Sequence, residues 1–116
     1  MSEHQEQAAL FEWAAIKSRQ IPELAYLYAV PNGGFRHKAT AAKLKAEGVK
    51  RGVPDVALPV ARGPYHGCWI EMKYGKNKPT SSQERWMEFL RGQGHYVTVC
   101  YSWEEASREL MDYLRQ

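Results

Sequence analysis

The sequence predicts an α/β domain, a mixed four-stranded sheet flanked by helices on both faces, spanning residues 1–116. Two observations carry that expectation. Segments with helical apolar spacing and short β-branched or aromatic runs follow one another in the order α-β-α-β-β-α-β-α. The two central strands are joined by a tight turn and the next strand follows a helix. A hairpin followed by a β-α-β crossover makes a mixed sheet with helices on both sides.

Each element has its own signal. Residues 4–19 read as a helix, because Ala8, Leu10, Phe11, Ala14 and Ala15 recur at helical spacing behind Ser2, an N-cap, and before Pro22, a stop. Leu24 to Val30 is an aromatic-rich run of strand length, closed by the turn Pro31-Asn32-Gly33-Gly34. His37 to Glu47 is a short helix followed by Gly48 at the C-terminal left-handed position. Val53 to Val60 and Tyr65 to Lys73 are strands, with the turn Arg62-Gly63-Pro64 between them. After the polar loop Tyr74 to Thr80, Ser82 caps a helix reaching Gly92, with Trp86, Phe89 and Leu90 on its core face. Tyr96 to Tyr101 is the last strand and Trp103 to Leu114 the last helix.

Composition excludes several classes. With 44% hydrophobic and 25% charged residues the chain is globular in composition rather than disordered. A net charge of +3 is mildly basic and compatible with a nucleic-acid partner. The first twenty residues carry Glu3, Glu6 and Glu12 where a secretory signal needs an apolar stretch. The longest apolar run, Leu24 to Val30, is far short of the ~20 residues that span a membrane. A soluble intracellular chain is expected, with Cys68 and Cys100 as free, buried thiols. Neither these cysteines nor His66 and His95 have the paired spacing of a zinc site. Trp13, Trp69, Trp86 and Trp103 sit at helix and strand positions that ordinarily pack in a core.

Chemistry is concentrated in two strand segments, Gly52-Val53-Pro54-Asp55 and Trp69-Ile70-Glu71-Met72-Lys73. Side chains alternate along a strand, so Glu71 and Lys73 share one face while Ile70 and Met72 take the other into the core. The hairpin brings Asp55 alongside Glu71. Two adjacent carboxylates repel unless a cation lies between them, and oxygen ligands of this kind suit Mg²⁺ or Mn²⁺. Lys73 is placed to orient or deprotonate a water at that ion, or to neutralise charge developing on a phosphate. Taken singly, Pro-Asp and Glu-x-Lys are ordinary polar strand positions. Here they lie 16 residues apart, Asp55 to Glu71, on neighbouring strands of the right fold class.

Through Pro54-Asp55 and Glu71-Met72-Lys73 the sequence resembles the PD-(D/E)xK nucleases, whose restriction-endonuclease-like fold has this element order. Within that superfamily it is similar to the VRR-NUC family, on the segments PNGGFR (31–36), GVPDVAL (52–58), GCWIEMK (67–73), SSQERW (81–86) and the strand YVTVC. Small stand-alone members resemble phage and prophage proteins. The resemblance implies a metal-dependent endonuclease acting on branched DNA with Mg²⁺ or Mn²⁺. Asp55 and Glu71 would be metal ligands, with the backbone carbonyl of Met72, and Lys73 the catalytic lysine. It also implies a role for Gln83 at the start of the following helix, and for an acid of the first helix. Glu6, one turn before Leu10, is the candidate; Glu3, on nearly the same face, is the alternative, and Glu12 lies on another face. The implied setting is the cytoplasm of a bacterial or phage-infected cell.

A DNA path is expected beside that centre. Asn32, Gly33 and Gly34 offer a tight turn whose N–H groups suit a phosphate. Residues 36–51 carry six Lys or Arg, among them Arg36, Lys38, Lys50 and Arg51, against the single acid Glu47. Lys76 and Lys78 flank the centre on the other side. Aromatic residues make up 12% of the chain, more than one small core hides, and Tyr101, Trp103 and Tyr113 are candidates for an interface. With the resemblance to dimeric stand-alone members, this points to a homodimer that resolves Holliday junctions. Other readings are a nuclease-fold DNA-binding module that does not cut and a monomeric flap or splayed-arm nuclease.

Overall fold

The computed structural model describes residues 1–31 and 38–116, with Lys38 placed by its backbone alone. The described elements are α1 (Glu3–Lys17), a 3-10 turn (Pro22–Tyr26), β1 (Tyr28–Ala29), α2 (Lys38–Ala46), β2 (Val56–Leu58), β3 (Cys68–Met72), α3 (Ser81–Gly92), β4 (Tyr96–Cys100) and α4 (Trp103–Leu114). The sheet runs β1-β2-β3-β4. β1 pairs with β2 and β2 with β3 in antiparallel fashion, with Val56 opposite Ile70; β3 and β4 are parallel, with Glu71 opposite Val99. The mixed α/β sheet expected from the element order is the one observed.

Strand parity divides the interior. Val56, Leu58, Cys68, Ile70, Met72 and Cys100 pack with Leu10 and Ala14 of α1 and with Ala106, Leu110 and Tyr113 of α4. On the opposite face Val97 packs with Met87 and Leu90 of α3, flanked by Trp69, Trp86 and Val99. The sheet is therefore buried on both faces, and Glu71 falls with Trp69 on the α3 side. Cys68 and Cys100 are free and buried, and burial, the first cause, pushes both thiols up to about 12. No described helix is long and apolar enough to cross a membrane.

Several boundaries differ from expectation for physical reasons. Leu24 to Tyr26 is not strand but part of the 3-10 turn that Pro22 opens with its fixed φ. Leu24 and Leu27, three residues apart, are the buried pair, which is the 3-10 period and not the alternation of a strand. β2 ends at Leu58 because Pro59 has no N–H for the ladder. On α1, Ala8 and Ala15 are exposed, and the buried stripe is Glu6, Leu10, Ala14 at a spacing of four. The cap of α3 is Thr80, not Ser82: its hydroxyl accepts from Gln83 N at 3.3 Å while Gln83 Oε1 accepts from Thr80 N at 2.8 Å. Phe89, expected in the core, is 60% exposed, and Met87 takes its place. Tyr113, a candidate for an interface, is buried and donates its hydroxyl to Val60 O at 2.6 Å.

Candidate active site

The antiparallel pairing of β2 with β3 stops at Val56 and Ile70, and the gap beyond it is filled by a side chain. Asp55 turns its carboxylate onto the strand that its own backbone has left, and Oδ2 accepts from Met72 N at 2.9 Å. Asp55 is held from the other side as well, since Val30 N donates to its carbonyl at 2.8 Å. Lys73 N donates to Cys100 O at 2.9 Å, so β3 stays tied to β4 while its other edge faces Asp55. An extended residue sends its N–H and C=O to the same side, so the Met72 carbonyl also faces that gap.

Glu71 is 1% exposed, and Asp55 and Lys73 are each 8% exposed. Buried charged groups need partners, and those here are unevenly shared. Oε2 of Glu71 takes Gln83 Nε2 at 3.2 Å and faces Lys73 Nζ at 3.7 Å. Oε1 is buried and has no hydrogen-bond partner among the described residues. Burial first, the Asp55 charge second and a side-chain hydrogen bond with Asp55 third push the Glu71 carboxyl up to about 9; Lys73 opposes this and Glu3 adds to it. Without a cation the Glu71 carboxyl therefore keeps its proton at neutral pH.

Gln83 joins α3 to the site. As the third residue of the capping box it fixes its own oxygen on Thr80 N, which leaves the amide NH₂ pointing at Glu71. The T-x-x-Q pattern over residues 80–83 is the sequence signal for this cap.

The two first-helix acids separate clearly. Glu6 is buried, but Oε1 accepts from Trp103 N at 2.9 Å, so its carboxylate caps the start of α4. Glu3, half-buried, is the one within the field of the centre: its carboxyl is raised by burial and then by Asp55, while Lys73 lowers it. Glu6 Oε1 is thus engaged by the start of α4, whereas Glu3, one turn earlier, lies within electrostatic reach of Asp55 and Lys73.

The residues fit a hard divalent cation. Asp55 lies on the Met72 amide, the Asp55 and Glu71 carboxyls are close enough to be coupled, and Glu71 Oε1 lacks a hydrogen-bond partner among the described residues; Mg²⁺ is ordinarily held by one or two carboxylates and completed by water and phosphate. Among the described residues no three His, Cys, Asp or Glu side chains converge into a closed cage. Of the expected DNA contacts, Lys50, Arg51, Lys76 and Lys78 are exposed. Asn32, Gly33, Gly34 and Arg36 lie outside the described residues, as does the side chain of Lys38.

Comparison with known proteins identifies the family. A family model described as "VRR-NUC domain" matches residues 1–104. A solved structure titled "VRR_NUC domain protein" is similar at a TM-score of 0.82 and 29% identity, over 99% of this chain and 89% of that one. No curated protein matches at a significant level. The family match covers both strands of the acidic pair, Gln83 and the first helix, and on that ground the chain belongs to the VRR-NUC domain family, which implies a function of the nuclease type.

Proposed function

We propose that this chain is a divalent-cation-dependent, structure-selective endodeoxyribonuclease that hydrolyses phosphodiester bonds in branched DNA. The observation that carries the reading is the pairing of Asp55 with a fully buried Glu71 whose Oε1 lacks a donor, beside Lys73. Nucleases of this kind generally use divalent metals. Asp55, Glu71 and the Met72 carbonyl would hold the ion, Mg²⁺ or Mn²⁺, with Glu3 as the further acid. When bound, the ion supplies charge stabilisation to the phosphoryl oxygens and acidity to water.

The chain's own residues do the rest. Lys73, its Nζ 3.7 Å from Glu71 Oε2, presents an ammonium to the attacking water or to the charge building on phosphate. Gln83 holds Glu71 Oε2, which leaves Oε1 as the oxygen without a partner among the described residues. Lys50, Arg51, Lys76 and Lys78 attract the DNA backbone from both flanks.

The finer reading is a homodimer resolving Holliday junctions in the cytoplasm of a bacterial or phage-infected cell. One set of Asp55, Glu71 and Lys73 makes one cut, and paired cuts need two sets related by a two-fold axis. Tyr28 on the edge strand β1 and Tyr26 just before it, 45% and 67% exposed, offer aromatic surface for a second copy.

The test is cleavage of labelled duplex, flap, splayed-arm and four-way substrates in EDTA, Mg²⁺ and Mn²⁺, with the mass in solution measured alongside. Cation-dependent cutting of branched substrates supports the reading, and paired symmetric cuts by a species twice 13.3 kDa support its finer form. Cutting in EDTA contradicts it. A monomer nicking flaps alone retains the endonuclease and removes the dimer; DNA binding with no cutting leaves a binding module.

A further inference from the structure

Four residues of α3 form one stripe: Ser82, Arg85, Trp86 and Phe89, at positions i, i+3, i+4 and i+7. Together with Arg51 they line a groove of about 360 Å³. Phe89 is 60% exposed, an uncommon position for a phenylalanine on a helix whose neighbours Met87 and Leu90 are buried. Trp86 is half-buried and forms the groove's inner wall. Both guanidinium groups are exposed, and among the described residues neither has a carboxylate within ion-pair distance, whereas Arg62 and Arg115 do. A second depression, lined in part by Lys45 and Lys50, shares Arg51 with the first and continues the basic surface.

The groove adjoins the candidate active site through the backbone. Gly52 has φ +96, and a Cβ there would stand 2.8 Å from Ser82 O and 3.1 Å from Trp86 Cδ1. Only glycine lets the turn segment leading to Asp55 lie against the first turn of α3. Arg51 is thereby held four residues before Asp55, and Ser82 immediately precedes Gln83.

We infer that this groove takes an unpaired nucleobase of a DNA single strand, stacked on Phe89 and Trp86, with its flanking phosphates on Arg85 and Arg51. The inference rests on the nuclease reading for its choice of DNA. The groove's chemistry then selects the form of DNA. Aromatic faces bind bases by stacking without regard to sequence, and arginines without acidic partners bind phosphate and stack on rings. A paired duplex keeps its bases inside the helix and cannot offer one to the groove; an arm, flap or junction centre can. Branched DNA would thus be distinguished by a base gripped beside the bond to be cut.

The test is binding in EDTA, where the proposed cleavage is off. Wild type and Phe89→Ala are titrated with a labelled thymidine oligomer of about 12 nucleotides, within the usual site-size range. An abasic oligomer of the same length keeps the phosphates and removes the bases. Wild type is expected to bind the thymidine oligomer ~10-fold more tightly than the abasic one, Phe89→Ala to lose that difference, and Phe89→Trp to restore it. Unchanged melting of Phe89→Ala, expected for an exposed side chain, separates lost stacking from lost folding. Equal affinity for the two oligomers, or thymidine binding insensitive to Phe89→Ala, overturns the inference and leaves the aromatic pair for a protein partner. Because no cutting is required, failure of the nuclease reading shows separately, in the cleavage assay.

Discussion

Gln83 donates from Nε2 to Glu71 Oε2 at 3.2 Å while its Oε1 is held by the Thr80 N–H at 2.8 Å. One amide therefore closes the cap of α3 and fixes a buried carboxylate on β3. The two jobs separate by substitution. Gln83→Glu keeps the acceptor for Thr80 but replaces the donor to Glu71 with a third carboxylate. It should melt close to wild type at pH 5 and well below it at pH 8 in EDTA. Gln83→Ala, which loses both bonds, should cost about 1 kcal/mol per hydrogen bond. Thermal melts at the two pH values check both outcomes.

Glu71 makes the cation-free protein sensitive to pH. Its carboxyl is raised from 4.5 to about 9, mainly by burial and then by Asp55. Between those values the unfolded chain gives up the proton and the folded chain keeps it, so stability falls as pH rises. Below the ordinary value both states are protonated and this contribution is fully present. Urea unfolding at pH 5 and pH 8 in EDTA should show lower stability at pH 8, and Glu71→Gln should flatten the slope. A wild-type rise in stability over that window contradicts the account.

Gly52 packs the segment before Asp55 against the first turn of α3. Gly52→Ala meets two obstacles, a left-handed φ of +96 and the Ser82 carbonyl 2.8 Å from the new Cβ. A loss of about 1–3 kcal/mol is expected, with impaired cleavage, because α3 and Gln83 must shift. By contrast Gly75→Ala meets no neighbour within 4 Å and only the strain of φ +62, so it should cost about 1 kcal/mol and leave cleavage near wild type. Paired stability and activity measurements distinguish the two glycines.

Lys73 and Met72 are adjacent and should fail differently. Lys73 faces Glu71, so Lys73→Ala should lower cleavage by about 10²–10³-fold with DNA binding retained. Met72 is wholly buried in the α1–α4 core, and Met72→Ala should cost about 2–5 kcal/mol. Specific activity of the folded fraction, measured beside denaturant unfolding, resolves the pair.

What the sequence makes legible follows from how local each determinant is. Asp55, Glu71 and Lys73 are readable because strand parity and one hairpin suffice to bring them together. Glu3 and Glu6 are not separable that way, since both lie on nearly one face of α1. What distinguishes them is the start of α4, where Trp103 N, 97 residues away, takes the Glu6 carboxylate. The 3-10 turn at Leu24 was hidden because an apolar aromatic run reads as strand unless the spacing of Leu24 and Leu27 is weighed against Pro22. Phe89 and Tyr113 exchange expected roles for the same reason: only the packed sheet decides which aromatic faces inward.

The central claim is that Asp55 and Glu71 jointly hold a divalent cation. Calorimetric titration of Mn²⁺ into the protein at pH 7.5, repeated in two buffers of different ionisation enthalpy, measures affinity and proton release together. Because the Glu71 carboxyl is raised to about 9, binding by wild type should release a proton, and Glu71→Gln should bind far more weakly and release none. Equal affinity of wild type and Glu71→Gln, or wild-type binding without proton release, would contradict the account.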